Sequence, residues 1–420
     1  MRRKHLIISI LLAVTALSAA AQEKPKTGWV FTPMPNVSYN TDLGLNLGAF
    51  CDFFYYGDGS SYPNPLHHVG FSGAYATKGS WYLHGYFDSV RLIPGLRLSA
   101  SATYRDAFTN NFYGFNGIAA PFDPSLELNA DDRVAYYTNR RRLLRAAASV
   151  QGNLGAGFQW LGGLVFRHVT ISDFNLKNYD SGRSLYLAYH DAGLVRDDEF
   201  GGGNSLELKL GATYDTRNVE LFPSKGIYAE AYVLGNADLG RWKYNYAQVV
   251  AHWRHYVSLG TDRVILAYHL GLQHTIAGEV PFYNINELAT LSYLYEECSG
   301  LGSRYSVRGF RYNRLAAAGY AWANIELRVT VLRFNLFKQH FDIVVNPFTD
   351  LAAITKTYRL EEQKLLPGLY QDLKLPVAPS AGMGIKLHMN TNFILSLDAG
   401  YGFNPQLGDL TIGMSTTYVF

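Results

Sequence analysis

The sequence predicts an all-β fold, a transmembrane antiparallel β-barrel of about sixteen strands. Three observations favour this fold class: an export signal without a later transmembrane helix, segments of alternating polarity, and long connections that all fall on one side. The composition agrees, because 31 Tyr, 24 Phe, 6 Trp and 40 Gly accompany 17% charged residues. Aromatic and glycine-rich strands are typical of barrels that face lipid outside and a wet lumen inside.

The first residues have the pattern of a secretory signal peptide. Residues 2–4 are basic, residues 6–17 are apolar but too short to span a bilayer, and residues 19–21 form an Ala-Ala-Ala cleavage site. No run of about 18 apolar residues follows, so helical membrane spans are not expected. We therefore expect a signal peptide over residues 1–21 and one barrel domain over residues 22–420, located in the outer membrane of a Gram-negative bacterium.

Alternating polarity is clearest between residues 321 and 331. Ile325 and Leu327 are apolar there, whereas Glu326 and Arg328 are charged. Because successive side chains of a strand point to opposite faces, one face is expected to meet lipid and the other the lumen. About sixteen comparable segments, most of them long enough to cross a membrane, lie at residues 29–39, 43–55, 66–78, 80–92, 95–106, 136–154, 157–171, 204–216, 225–238, 242–258, 262–275, 319–333, 340–353, 379–389, 392–403 and 408–420.

The connections between these segments differ in length on the two sides. If the N-terminus is periplasmic, the four longest connections all lie on the outer side, at residues 107–135, 172–203, 276–318 and 354–378. The longest connection on the other side is residues 56–65. Outer-membrane barrels have short periplasmic turns and long outer loops. The pattern therefore supports the barrel and places a long luminal loop between strands 11 and 12.

The two strands expected to close the barrel have unusual sequences. The last segment ends on an aromatic residue, as in the C-terminal signal of outer-membrane proteins, and we expect Tyr418 and Phe420 to lie at the closing seam. The first segment contains Pro33 and Pro35, and proline cannot donate a hydrogen bond to a ladder. One interpretation is a weakly bonded seam; the other is that the two prolines merely start the strand.

The loop between predicted strands 11 and 12 contains a cationic, glycine-rich stretch, Ser306-Val307-Arg308-Gly309-Phe310. It resembles the Val-Arg-Gly-Phe/Tyr loop of the BamA, TamA and FhaC superfamily, outer-membrane barrels that insert or export other proteins. Further stretches resemble the same superfamily and occur in its order, at residues 111–117, 214–226, 347–352 and 380–385. In combination they identify the chain as resembling the barrel of that superfamily.

The resemblance implies that the loop tip folds back into the lumen. A guanidinium group there needs a carboxylate partner, because an unpaired buried charge is very costly. The inward faces of the next two strands supply Asp350 and Glu326, at the positions where the superfamily has its acidic partners. We expect Arg308 to pair with Asp350 first and with Glu326 second.

Superfamily members carry soluble periplasmic repeats ahead of the barrel, whereas residues 22–28 alone separate the predicted cleavage site from the first strand. The sequence is thus expected to be a short form without those repeats. The implied function is assembly, insertion or translocation of outer-membrane proteins through the seam between the first and last strands. The expected partners are outer-membrane lipid, client proteins and a separate periplasmic protein.

Two other classes of function stay open: a passive outer-membrane pore or structural surface barrel, and an outer-membrane enzyme that modifies lipid. The long luminal loop argues against the pore, and the absence of periplasmic repeats argues for it. The enzyme is less favoured, because the sequence has no G-x-S-x-G or H-E-x-x-H motif and no clustered Cys/His set. No catalytic residue, metal or cofactor is therefore expected.

Charge and cysteine content add two smaller expectations. The net charge of +3 is spread along the chain and does not indicate a nucleic-acid partner. A disulfide between Cys51 and Cys298 is compatible with an oxidising compartment. With one distant pair and no spacing signature, unpaired cysteines are the preferred interpretation.

Overall fold

The computed structural model describes residues 25–40, 44–127, 135–174, 184–220, 222–292, 300–302, 306–336, 339–373, 377–390, 393–416 and 418–420. The expected signal peptide and Cys298 lie outside these ranges, so the domain boundary and the state of the cysteines stay predictions.

The described residues form one antiparallel sheet of sixteen strands, hydrogen-bonded in chain order from β1 to β16. The strands are β1 Trp29–Asn40, β2 Gly44–Tyr55, β3 His67–Ala76, β4 Trp81–Ile93, β5 Leu96–Asn111, β6 Thr138–Gly155, β7 Phe158–Asp173, β8 Gly202–Asp215, β9 Gly226–Leu239, β10 Tyr246–Ser258, β11 Val264–Gly278, β12 Gly319–Leu336, β13 Gln339–Lys356, β14 Ala378–Met389, β15 Phe393–Gly402 and β16 Leu410–Ser415. Short α-helices occupy Leu185–Asp191, Asp197–Phe200 and Leu360–Lys364, and 3-10 turns occupy Gly117–Ala119, Pro124–Leu126 and Phe282–Asn284. Within the described ranges, none of the helices has the length and apolar character needed to cross a membrane. The all-β, sixteen-stranded prediction is confirmed.

The alternation of side chains sets which face of each strand points inward. On β12, Asn324 and Glu326 are both 0% exposed, whereas Ile325 is 41% exposed and Val331 is 53% exposed. Polar side chains therefore line the lumen and apolar side chains cover the outside of the sheet. An apolar outer surface of this kind suits contact with lipid.

The connections separate by length between the two ends of the barrel, as predicted. The end with the long connections, which we call the loop end, carries residues 112–137, 174–201, 279–318 and 357–377. The opposite end, which we call the turn end, carries the connections at residues 56–66, 94–95, 156–157, 216–225, 259–263, 337–338 and 390–392. The 279–318 connection joins β11 to β12, where the luminal loop was expected.

Aromatic side chains from the long connections pack together and cap the lumen at the loop end. They form one buried cluster that includes Phe112, Phe115, Tyr186, Tyr189, Phe282 and Tyr358. Edge-on contacts dominate, for example between Phe115 and Tyr358 at 4.8 Å between ring centroids. Aromatic pairs of this geometry add attraction beyond the area that they bury.

Arg314 ties two of these connections together. Its side chain is fully buried and donates hydrogen bonds to the carbonyl oxygens of Gly117 and Ala120, each at 2.8 Å, and of Gln406 at 2.7 Å. Burial lowers the pKa of Arg314 to about 10, so the group still carries its charge at neutral pH. The 279–318 loop is thus fixed to the cap by charge-assisted hydrogen bonds.

β1 and β16 lie side by side, with Cα atoms within 8 Å of each other. β1 has 12 residues and β16 has 6. At least half of β1 therefore has no partner in β16, so the seam between the two ends of the sheet is short.

Candidate functional site

The tip of the 279–318 loop reaches the middle of the lumen, where Val307, Arg308 and Phe310 are all at most 3% exposed. Arg308 Nε and Nη2 donate to the two carboxylate oxygens of Asp350 at 2.9 and 2.8 Å. Nη1 donates to Glu326 Oε1 at 2.6 Å, and the backbone N–H of Arg308 donates to Asp350 Oδ2 at 2.9 Å. The structure thus brings Arg308, Asp350 and Glu326 together, with the bidentate contact on Asp350.

The environment of Arg308 keeps its guanidinium charged although it is buried. Burial lowers its pKa, but the charges of Asp350 and Glu326 outweigh burial and raise the pKa above its usual value. The Phe348 ring, on the same strand as Asp350, lies 3.4 Å from Arg308 Cζ and adds a cation–π contact. Arg308 is therefore held by charge, by bidentate geometry and by an aromatic face.

Three further charged side chains complete this site, which we call the luminal charge cluster. Arg328 Nε donates to Glu326 Oε2 at 2.8 Å, and Lys386 Nζ pairs with Asp398. Asp398 also lies 3.5 Å from Arg308 Nη1. Among the described residues, the cluster balances three cations with three carboxylates: Arg308, Arg328, Lys386, Glu326, Asp350 and Asp398. A balanced set of this kind can be buried, whereas a single unpaired member cannot without large cost.

Arg328, Lys386 and Asp398 were not expected at the site. The alternation of polar and apolar residues along their strands places these three side chains on inward faces. It does not give the height of a residue along the barrel axis. That height depends on the stagger between neighbouring strands. Asn324 also belongs to the site, since its side chain donates to the carbonyl oxygen of Ser306 at 2.5 Å and fixes the loop just before its tip.

Glycines allow the loop tip to lie directly on the backbone of β15 and of the turn after it. Gly309 has a φ of 87°, a left-handed conformation that favours glycine. A Cβ atom at Gly309 would lie 2.7 Å from the backbone N of Gly402, and one at Gly400 would lie 2.8 Å from the N of Gly309. Phe310 forms an isolated antiparallel bridge with Gly408. The tip is therefore docked by backbone contact as well as by charge.

Pro33 and Pro35 lie within β1, because the strand begins at Trp29, so they do not merely start it. Tyr56 N donates to Gly28 O at 2.9 Å, and the β1–β2 register continues from there without interruption. In an antiparallel ladder, hydrogen-bonded and non-hydrogen-bonded residue pairs alternate. The backbone N–H and C=O groups of even-numbered β1 residues therefore bond to β2, and the backbone groups of odd-numbered residues point toward β16. Each proline therefore removes one donor from the seam edge.

Tyr418 and Phe420 do not lie on the last strand, contrary to the sequence expectation. β16 ends at Ser415, and residues 418–420 turn into the lumen, where all three are buried. The Tyr418 ring lies 3.7 Å from the Arg328 guanidinium, and Arg328 Nη2 donates to the main-chain oxygen of Phe420 at 3.2 Å. The hydroxyl group and the ring face of Tyr418 can interact with polar partners in the lumen, and the lipid-facing side of a strand offers no such partners.

The histidines do not form a metal site in the part of the chain that is described. His252 and His269 face each other in the lumen, with Nδ1 of one 3.0 Å from Nε2 of the other, so one ring donates to the other. No group of three or more His, Cys, Asp or Glu side chains with a geometry suited to a metal ion is found among the described residues. Cys51 lies on β2 opposite Pro33.

Comparison with known proteins supports the fold and identifies the family. The Omp85 superfamily domain matches residues 67–413. BamA from Haemophilus ducreyi lacking POTRA domains 1–3 is similar in structure, with 15% sequence identity and a TM-score of 0.55 over 97% of this chain and 78% of that one. CdiB from Escherichia coli is similar with 11% identity and a TM-score of 0.55; the match covers 95% of this chain and 64% of CdiB.

At these identities the structural likeness concerns the fold alone, and no curated protein sequence matches the chain. The matched superfamily domain, however, contains β3 to β15 and part of β16, and with them the loop tip and its two carboxylate partners. It covers far more than half of the sequence. The chain therefore belongs to the Omp85 superfamily, as its loop motif predicted.

Proposed function

We propose that this protein assembles, inserts or translocates client proteins in the outer membrane of a Gram-negative bacterium, and that it acts through the seam between β1 and β16. Membership of the Omp85 superfamily supports the general role. The observation that carries the seam mechanism is the short last strand, with 6 residues against 12 in β1. With at most 6 residues of β16 available to β1, the seam costs no more hydrogen bonds to open than the 6-residue β15–β16 pair, and fewer than the longer strand pairs of the barrel.

Pro33 and Pro35 strengthen this proposal. Both face the seam with no N–H group to donate, so pairing there is weakened by chemistry as well as by length. Most pairs elsewhere in the sheet are longer, since β12 and β13 for example have 18 residues each, and the equally short β15–β16 pair contains no proline. Opening is thus expected at the seam in preference to any other site. The docked tip of the 279–318 loop, packed on β15, would hold the neighbouring strand in place while the seam opens.

The partners that we propose are outer-membrane lipid, client proteins and a separate periplasmic protein. Lipid would contact the apolar outer face, and the loop end would face the cell exterior. A passive pore is the alternative, and the filled lumen disfavours it. The luminal charge cluster and the aromatic cap occupy the space that an open channel would need.

A disulfide across the seam tests this proposal. Cys51 and Cys298 are first replaced by Ser, and cysteines are then introduced at a facing pair of β1 and β16 positions whose Cα atoms lie within roughly 4.4–6.8 Å. The matched control is a cysteine pair at Ala102 and Ala146, which face each other across the β5–β6 ladder. Cells that depend on the protein are scored for growth and envelope integrity with and without reductant.

The proposal expects loss of function in the seam-locked barrel, recovery on reduction, and full function in the control. The purified proteins are also measured for conductance in planar bilayers. Unchanged cellular function with the seam locked, together with steady high conductance, would show instead that the protein is a pore. Unchanged function without conductance would also refute the seam mechanism.

A further inference from the structure

The connection between β8 and β9 crosses the turn end of the lumen instead of staying beside its own strands. We call its described residues, 216–220 and 222–225, the floor turn. The Glu220 carboxylate accepts hydrogen bonds from Arg97 Nη1 at 2.6 Å and Nη2 at 3.1 Å. Arg97 is on β5, three strands away from β8. One end of the floor turn is therefore attached to a distant part of the wall.

The floor turn contacts the opposite wall as well. The Phe222 ring stacks on His388 of β14, with centroids 5.1 Å apart and an angle of 15° between the planes. His388 Nε2 in turn lies 2.9 Å from the Tyr418 hydroxyl group. β14 is five strands beyond β9, so the contacts at Glu220 and Phe222 together span the opening. Residues 418–420 lie next to them and close more of the same opening.

The floor turn is internally braced, so it can behave as one unit. Arg217 Nη1 donates to the Glu220 carbonyl oxygen at 3.0 Å, and its Nε and Nη2 bind Asp215 at 2.9 and 2.7 Å. The Asn218 side-chain oxygen accepts from the backbone N–H groups of Ser224 and Lys225 at 3.1 and 3.2 Å. These bonds join the two arms of the turn near its base.

Its contacts with the walls are weaker than this internal bracing. The Arg97 and Glu220 side chains are 18% and 34% exposed, so solvent partly screens this ion pair. Arg97 Nε and Nη2 also donate to Asp88 at 2.9 Å each, so Arg97 keeps a carboxylate partner when Glu220 leaves. One stacked ring pair on the other side adds a similarly modest contribution. A rigid element held at its rim by two modest contacts is suited to swing open as a body.

We propose that the floor turn is a gate over the turn end of the lumen, held shut by the Arg97–Glu220 ion pair and the Phe222–His388 stack. This inference rests on the proposed function, because a client or a periplasmic partner approaching the seam from the turn end would have to displace this floor. Displacing it also disturbs Tyr418, which contacts Arg328 of the luminal charge cluster.

A buried luminal cysteine reports on the gate. Ser101 lies on β5 four residues beyond Arg97. It is 8% exposed and lines a small luminal cavity together with Arg145 and Lys209. In a Cys51→Ser, Cys298→Ser background, Ser101→Cys is labelled with a membrane-impermeant maleimide in purified protein. The test variant combines Glu220→Gln with Phe222→Ala. The matched control is Glu361→Gln, which breaks an exposed ion pair with Lys364 at the loop end.

The proposal expects about a tenfold faster labelling of the test variant, because two modest contacts are lost, and no change in the control. Retained heat-modifiability on gels shows that the barrel is intact. If the double variant loses heat-modifiability, the single variant Glu220→Gln is used as the test, and its labelling rate is expected to rise about threefold. Equal labelling rates in folded test and parent proteins would overturn the proposal, as would parent labelling as fast as that of a fully exposed cysteine. Because purified protein is used, this result is independent of the cellular seam test.

Discussion

Removing the Arg308 side chain should destabilise the docked loop more than any surface charge change. The substitution Arg308→Ala deletes two hydrogen bonds to Asp350 and one to Glu326. Glu326 keeps Arg328, but Asp350 loses the only side-chain cation that the described residues place on it. The luminal charge cluster would change from three cations and three carboxylates to an uncompensated negative charge in a buried site. Breaking a buried pair in this way costs roughly 3–5 kcal/mol.

The assay is unfolding of purified protein in urea, followed by the gel shift between folded and unfolded barrel. Limited proteolysis of the 279–318 loop is measured in parallel. The matched control is Arg333→Ala, which breaks solvent-accessible ion pairs with Asp262 and Asp342 at the turn end and should cost about 1 kcal/mol or less. A double-mutant cycle with Asp350→Asn isolates the pair, and we expect a coupling of about 2–3 kcal/mol.

The reasoning would be refuted by an Arg308→Ala barrel with the stability of the parent and no additional cleavage in the loop. Additive effects of Arg308→Ala and Asp350→Asn would also contradict it. Additivity would mean that the two groups contribute separately and that the charge balance of the cluster is not what holds the tip.

Three other outcomes follow from the same contacts. The purified protein should resist SDS until boiled and give a β-type circular dichroism spectrum, because a barrel of paired strands offers few free edges; identical migration before and after boiling with a helical spectrum would contradict the fold. Gly309→Ala should expose the loop tip to protease as strongly as Arg308→Ala does, since the added Cβ would lie 2.7 Å from the Gly402 N and the backbone has a φ of 87°; an uncleaved loop would show that the close packing is not required. Burial raises and Arg97 lowers the pKa of Glu220, to about 2 against an ordinary 4.5, with Arg217 and His68 also near it. The pairing therefore stabilises the floor turn fully above pH 4.5 and is lost as the pH falls toward 2. Because maleimide reacts with the thiolate, each Ser101→Cys labelling rate is divided by the rate of a fully exposed cysteine at the same pH. This ratio should be flat from pH 8 to 5 if Glu220 alone controls the gate, and a rise of the ratio as the pH falls within that range would exclude Glu220 as the controlling group.

The fold could be predicted from the sequence because its signals are local. Alternation in segments such as residues 321–331 can be recognised without knowledge of distant residues. The long connections can be assigned to one end of the barrel by counting strands, because every second connection lies at the same end. The partners of Arg308 could be anticipated because the resemblance to the superfamily implied that the loop tip enters the lumen. A luminal guanidinium requires carboxylates, and Glu326 and Asp350 are on the inward faces of the next two strands.

The remaining parts of the site depend on how far neighbouring strands are displaced along the barrel axis. Lys386 and Asp398 face inward by alternation, yet only the stagger brings them to the height of Arg308. The prediction that the last strand continues to the end of the chain was wrong for another reason. Alternation cannot distinguish an aromatic residue that faces lipid from one that turns into the lumen. Tyr418 contacts His388 and Arg328 in the lumen, and these partners are on other strands, so the local sequence does not indicate them.

The two ways in which the loop tip is docked should behave differently in a genetic selection. A defect caused by losing the Arg308 charge can be relieved by a second change elsewhere, because neutralising Asp350 or Asp398 restores the balance. A defect at Gly309 has no such remedy, since the atoms that an added methyl group would meet belong to the backbone of Tyr401 and Gly402. Second-site suppressors of Arg308 variants should therefore be common and should map to acidic residues, whereas recovered Gly309 variants should be revertants at the same codon.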